Sequence, residues 1–84
     1  MLKLIEYLNN NDIFMEIGPS RLRYKLPRVV DVVFSHGDNH TRFLVDIEAI
    51  EASGMTLEDA LLERGREFLS RVQSFRVITK KENL

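Results

Sequence analysis

The chain has 84 residues, twelve Lys and Arg against thirteen Asp and Glu, 44% hydrophobic residues and no cysteine. That is the size and composition of one small globular domain, unlike a disordered tail, and the missing cysteine excludes disulfides and thiolate metal sites. A net charge of −1 supplies no global field for nucleic acid, and no apolar run approaches the roughly 18 residues of a membrane span, so the expected setting is cytoplasmic, without a membrane partner.

Leu4, Ile5 and Leu8 stand at helical spacing, which predicts a short helix over 2–9, ended by three Asn residues and Asp12. Segments 13–17 and 22–26 flank Gly-Pro-Ser-Arg and both alternate. Pairing Ile17 with Leu22, Met15 with Tyr24 and Ile13 with Leu26 gathers six apolar side chains on one face and predicts a first hairpin. Pro27 cannot donate a ladder bond and marks the passage to the next strand. A second hairpin is predicted from 29–35 and 42–48. Setting Phe34 opposite Phe43, Val32 opposite Val45 and Val30 opposite Ile47 leaves Gly37–His40 as its loop.

Thr56 followed by Glu58 and Asp59 resembles a capping box and opens a helix predicted over 56–75, with Leu57, Leu61, Phe68, Val72 and Phe75 in one stripe. Gly65 lies within that stripe, where its use is expected to be close approach of the helix to the sheet. Residues 76–80 are expected to add a short edge strand, and 81–84 to fray. The fold class is therefore α+β: a short N-terminal helix, an antiparallel sheet of two consecutive hairpins, and one amphipathic helix on one sheet face. All 84 residues form one domain, with 1–28 carrying the first helix and hairpin, 29–75 the hairpin-plus-helix unit, and 76–84 a tail.

Charge is unevenly placed. Residues 1–28 hold five basic and three acidic side chains, 29–67 hold three and nine, and 68–84 hold four and one. The acidic middle suits a basic partner. Val33 and Leu44 fall on the sheet face away from the helix, and Leu62 and Leu69 on the shoulder of the helical stripe. A single two-layer domain has little to bury them with unless the first helix and the C-terminal segment pack over them. Together with Asp46 and Glu48 they form the expected partner-binding set, in a chain short enough to profit from homodimerisation.

Three other constellations carry weaker chemistry. Arg21, Arg23 and Lys25, followed by Arg28, present cations along one strand face at a spacing that suits successive phosphates, and define the alternative of a nucleic-acid binder. The acidic helix start at 58–59 opposes phosphate and argues against a double-stranded-RNA-binding arrangement. Asp31 and Asp46 are opposite in the expected register, which defines the alternative of a metal-dependent enzyme. His36, Asp38 and His40 cluster at the hairpin tip, but three ligands on a loop whose Gly, Asp and Asn are turn formers make a poor preformed site. No catalytic residue, metal site or cofactor is therefore expected.

The stretch from Val29 to about Val72 resembles the HicB antitoxin family. The resemblance rests on Val-Val-Phe at 32–34, Gly37-Asp38-Asn39, Phe-Leu-Val-Asp ending at Asp46, and Gly54 to Ala60. An Asp eight residues before a Gly, followed by x-Thr-x-Glu-Glu-Ala, is the family's pattern. Asp46, Gly54, Thr56, Glu58, Asp59 and Ala60 keep that spacing over about half the chain. Val45 and Glu48-Ala49 depart from it, standing where the family has a Pro and a Pro-Gly. The resemblance implies a partial RNase H-like unit without catalytic carboxylates. Such a unit is a small regulator or inhibitor of antitoxin or prophage type, binding a protein such as a basic ribonuclease toxin.

Overall fold

The computed structural model describes residues 1–20 and 28–82, with side chains described through Gln73. Its elements are helix α1 (Leu2–Asn10), strands β1 (Phe14–Pro19), β2 (Val29–His36) and β3 (Asn39–Asp46), and helices α2 (Ile47–Ala52) and α3 (Leu57–Glu82). The strands form one antiparallel sheet in the order β1-β2-β3. No helix among the described residues is long and apolar enough to cross a membrane.

The β2–β3 hairpin shows what the hydrophobic pattern determines and what it leaves free. Val32 lies opposite Phe43, Phe34 opposite Thr41 and Val30 opposite Val45, two residues away from the expected register. A shift of two preserves every side chain's face, so alternation cannot discriminate between the two pairings. The turn decides. His36 pairs with Asn39 across a two-residue loop, and Gly37 has φ +58° at the first central position, where a type II′ turn requires glycine.

β1 pairs with β2, placing Ile17 opposite Val32 and Met15 opposite Phe34. The strand expected at 22–26, and with it the first hairpin's pairing to Leu22, Tyr24 and Leu26, lies outside the described residues. β3 stops earlier than expected. Asp46 caps α2 by accepting from the Ala49 N–H at 3.2 Å, so residues 47 and 48 are helical. α2 ends in a Schellman motif: Met55 N–H donates to Ile50 C=O, Gly54 N–H donates to Glu51 C=O, and Gly54 sits at φ +83°. Thr56 then caps α3, its Oγ accepting from Asp59 N–H at 3.1 Å.

α3 continues to Glu82, which overturns the edge strand expected at 76–80. From Arg66 onward the sequence holds no Gly or Pro, so nothing local ends the helix at 75.

The core lies between the sheet and both long helices. Phe34 and Val32 are fully buried at its centre, with Leu61, Phe68 and Val72 from α3 and Leu4 and Leu8 from α1. The Phe34 ring meets Phe43 at 5.3 Å and Phe68 at 6.0 Å between centroids, so α3 covers the expected apolar sheet face. Gly65 serves a different neighbour from the one expected. A Cβ built on it would lie 3.8 Å from Leu8 Cδ2, so the approach it permits is that of α1 rather than the sheet. α1 has no capping side chain of its own. Glu58, in the first turn of α3, accepts from Leu4 N–H at 3.2 Å and sits at the positive end of α1. That bond is the main reason the Glu58 carboxyl is held below its ordinary pKa.

Candidate interaction face

Strand alternation divides the sheet cleanly. Met15, Val30, Val32, Phe34, Phe43 and Val45 face α3, and the opposite face consists of three cross-strand rows. These rows are Phe14–Ser35–His40, Glu16–Val33–Arg42 and Gly18–Asp31–Leu44. The apolar members, Phe14, Val33 and Leu44, therefore step diagonally from the first strand to the third. Phe14 is 76% exposed and Leu44 47%, while Val33 is half-buried between them. Scattered surface apolar groups are ordinary, but a phenyl ring this open on the same face as an exposed leucine is a recognisable contact surface.

Beside the diagonal lies a depression of about 240 Å³ lined by Glu16, Ile17, Gly18, Pro19, Ser20, Asp31, Val33 and Arg42. Asp31 is the polar centre of this region, with its side chain only 12% exposed. Its Oδ2 lies 3.5 Å from Arg42 Nε, an ion pair without tight hydrogen-bond geometry. Its Oδ1 is buried and has no hydrogen-bond partner among the described residues. An unsatisfied carboxylate oxygen costs free energy that any donor reaching it would recover.

The expected partner-binding residues separate into three groups. Val33 and Leu44 lie on the open face as predicted. Asp46 and Glu48 lie at the start of α2, Asp46 engaged as its cap and Glu48 exposed in its first turn. Leu62 and Leu69 do not belong to a surface set. Leu62 is buried in the core and Leu69 packs against it, because α1 covers the shoulder of α3 that looked unpartnered. Phe14 was the residue to add: the alternation of Ile13, Met15 and Ile17 already turns it away from the core.

The other constellations also resolve geometrically. The observed register sets Asp31 opposite Leu44 and Asp46 opposite Val29, so the two carboxylates are not a facing pair. His36 and His40 fall on opposite faces of the β2–β3 ribbon, which separates the ligands the hairpin tip seemed to offer. Among the described residues no group of three or more His, Asp or Glu is placed to hold a metal ion. Arg21, Arg23 and Lys25 lie outside the described residues. Arg28 adopts φ +63° and donates through both Nη atoms to the Glu51 carboxylate, one bond at 2.9 Å. This bidentate pair raises the Arg28 pKa and lowers that of Glu51, each chiefly through the shared hydrogen bonds. Arg28 thus ties the start of β2 to α2, and its charge is already matched.

No protein-family model, curated protein or solved structure matches this chain.

Proposed function

We propose that the chain is a non-catalytic protein-interaction module, a small regulator or inhibitor that works by covering part of a protein partner with the outer face of its sheet. The observation that carries this reading is the exposure of Phe14 and Leu44 on a face where Val33 joins them. The partner's chemistry follows from the same rows of side chains. Apolar groups would pack on the diagonal, and an Arg or Lys entering the depression would meet Glu16 and the exposed part of the Asp31 carboxylate. A basic protein surface with one protruding cation beside an apolar patch has those properties.

The test is affinity capture with the wild-type chain, with Phe14→Ser and Leu44→Ser, and with Arg71→Ser as a control, since Arg71 borders the groove between α3 and β3 on the other side of the sheet. A partner held by wild type and by the control, but lost with either face variant, supports the reading. A partner indifferent to Phe14 and Leu44 overturns it. Retention on heparin that falls steeply with salt would favour the nucleic-acid alternative instead.

A further inference from the structure

Among the described residues nothing pairs with the outer edge of β3, a second surface beside the sheet face. β3 is the last strand of the sheet, eight residues long, and pairs with β2 without a bulge. It contains neither Pro nor Lys, two of the devices by which edge strands avoid pairing with another chain. The phase of its backbone is known. Ile47 N–H donates to Arg28 C=O at 3.0 Å, extending the β2–β3 ladder by one rung. In an antiparallel ladder alternate residues bond inward, so residues 39, 41, 43 and 45 bond to β2. The N–H and C=O groups of His40, Arg42 and Leu44, and the N–H of Asp46, point to the open edge, the Asp46 C=O being taken by the first turn of α2.

We infer that this edge pairs antiparallel with β3 of a second copy of the chain, with the two-fold axis at Phe43, to form a continuous six-stranded sheet. Three registers use the outward-pointing groups. An axis at Arg42 sets two guanidinium groups opposite one another. An axis at Leu44 limits the ladder to residues 42–46, because α2 begins at Ile47. An axis at Phe43 uses residues 40–46 and sets Phe43 against its copy, Arg42 against Leu44, Thr41 against Val45 and His40 against Asp46. Arg42 is then also diagonal to the other copy's Asp46, an opposite charge, and to the other copy's Arg42, a like charge farther off than when directly opposite. Asp46 caps α2 through Oδ1, which leaves Oδ2 to face these groups.

The helix layer agrees with the same symmetry. Arg64 and Glu67 of α3 border the groove beside β3, with the Arg64 guanidinium 5.0 Å from the centre of the Phe43 ring. The two-fold axis runs the two α3 helices antiparallel on the same side of the joined sheet. Arg64 and Glu67, 4.0 Å apart on one helix, then face the same pair of the other copy across the axis, so that opposite charges meet. This pairing does not rest on the outer-face reading, since the backbone edge carries it, although Arg42 and Leu44 border both surfaces.

The experiment is backbone amide exchange followed by NMR on the wild-type chain from micromolar to millimolar concentration, with sedimentation velocity on the same samples. The amides of Arg42, Leu44 and Asp46 are expected to become slow to exchange as the dimer forms. If they stay fast at the highest concentration, the inference is wrong, whether the chain is then a monomer or a dimer built on another surface. His40→Glu, at an exposed position, sets a like charge against Asp46 twice per dimer and should weaken association roughly tenfold. An unchanged dissociation constant would also overturn the register.

Discussion

Replacing Gly65 by Ala should stabilise the protein. Gly65 is buried within α3, where a glycine is about 0.8–1.0 kcal/mol less favourable than an alanine in a helix interior. The usual objection to filling such a site is a clash with the packed neighbour. Here the added Cβ would stand 3.8 Å from Leu8 Cδ2, an ordinary van der Waals contact, with no other atom outside its own helix turn within 4 Å. The methyl would also remove some apolar surface from α1 and α3, a further fraction of the ~0.8 kcal/mol per buried methylene. The expected gain is about 1 kcal/mol, or a Tm rise of roughly 4–8 °C for a domain of this size. Urea and thermal unfolding followed by circular dichroism would measure it, with an unchanged m-value showing that the denatured state is not involved. Gly65→Leu should do the reverse, losing about 1–3 kcal/mol by overpacking against α1. If Gly65→Ala lowers stability instead, the two helices lie closer than Leu8 allows, and the α1 packing described above is wrong.

Three further outcomes follow from the same geometry. Gly54→Ala should cost about 1–2 kcal/mol in chemical denaturation, because φ +83° in the Schellman turn puts a Cβ against the following carbonyl. Phe34→Ala empties the centre of the core between Phe43 and Phe68 and should cost about 3–5 kcal/mol, enough that calorimetry shows a broad or absent transition in so small a domain. Glu58→Gln tests the clamp on α1. The folded Glu58 carboxyl titrates below its ordinary value of 4.5, so its contribution is complete above that pH and disappears as pH falls through the lower folded value. The stability difference between wild type and Glu58→Gln should therefore be full at pH 7 and shrink below about pH 4.5; a difference that grows toward acid would contradict the Leu4–Glu58 contact.

Much of the sheet and helix layering was legible in the residues. Alternation in β2 and β3 assigned each side chain its face correctly, and the 57–61–68–72 stripe named the helix that covers Phe34. What alternation could not supply was anything even in period: the two-residue shift of the β2–β3 register needed the turn geometry of Gly37. Local rules also under-read Asp46. It looks like a strand residue in an alternating run, yet a short acid followed by Ile-Glu-Ala is equally an N-cap, and the cap prevails. Leu62 and Leu69 were misjudged for a tertiary reason, since nothing in their own helix announces that α1 will lie over them. The open face was half visible. Val33 and Leu44 were apparent from parity, whereas Phe14 joins them only through the β1–β2 pairing, which the expected first hairpin did not contain.

The bond from Glu58 to Leu4 links residues 54 positions apart, and this bears on the order in which the chain acquires its shape. A nine-residue helix is too short to persist alone in water, and α1 borrows its cap from a residue synthesised much later. On a ribosome, α1 therefore waits, unshaped, until α3 has been made and docked, while the β2–β3 ribbon can close on its own turn. Refolding kinetics should accordingly leave Leu4 substitutions with φ-values near zero and concentrate high values around the Gly37 turn. The helix made first in this domain is the last part of it to take shape.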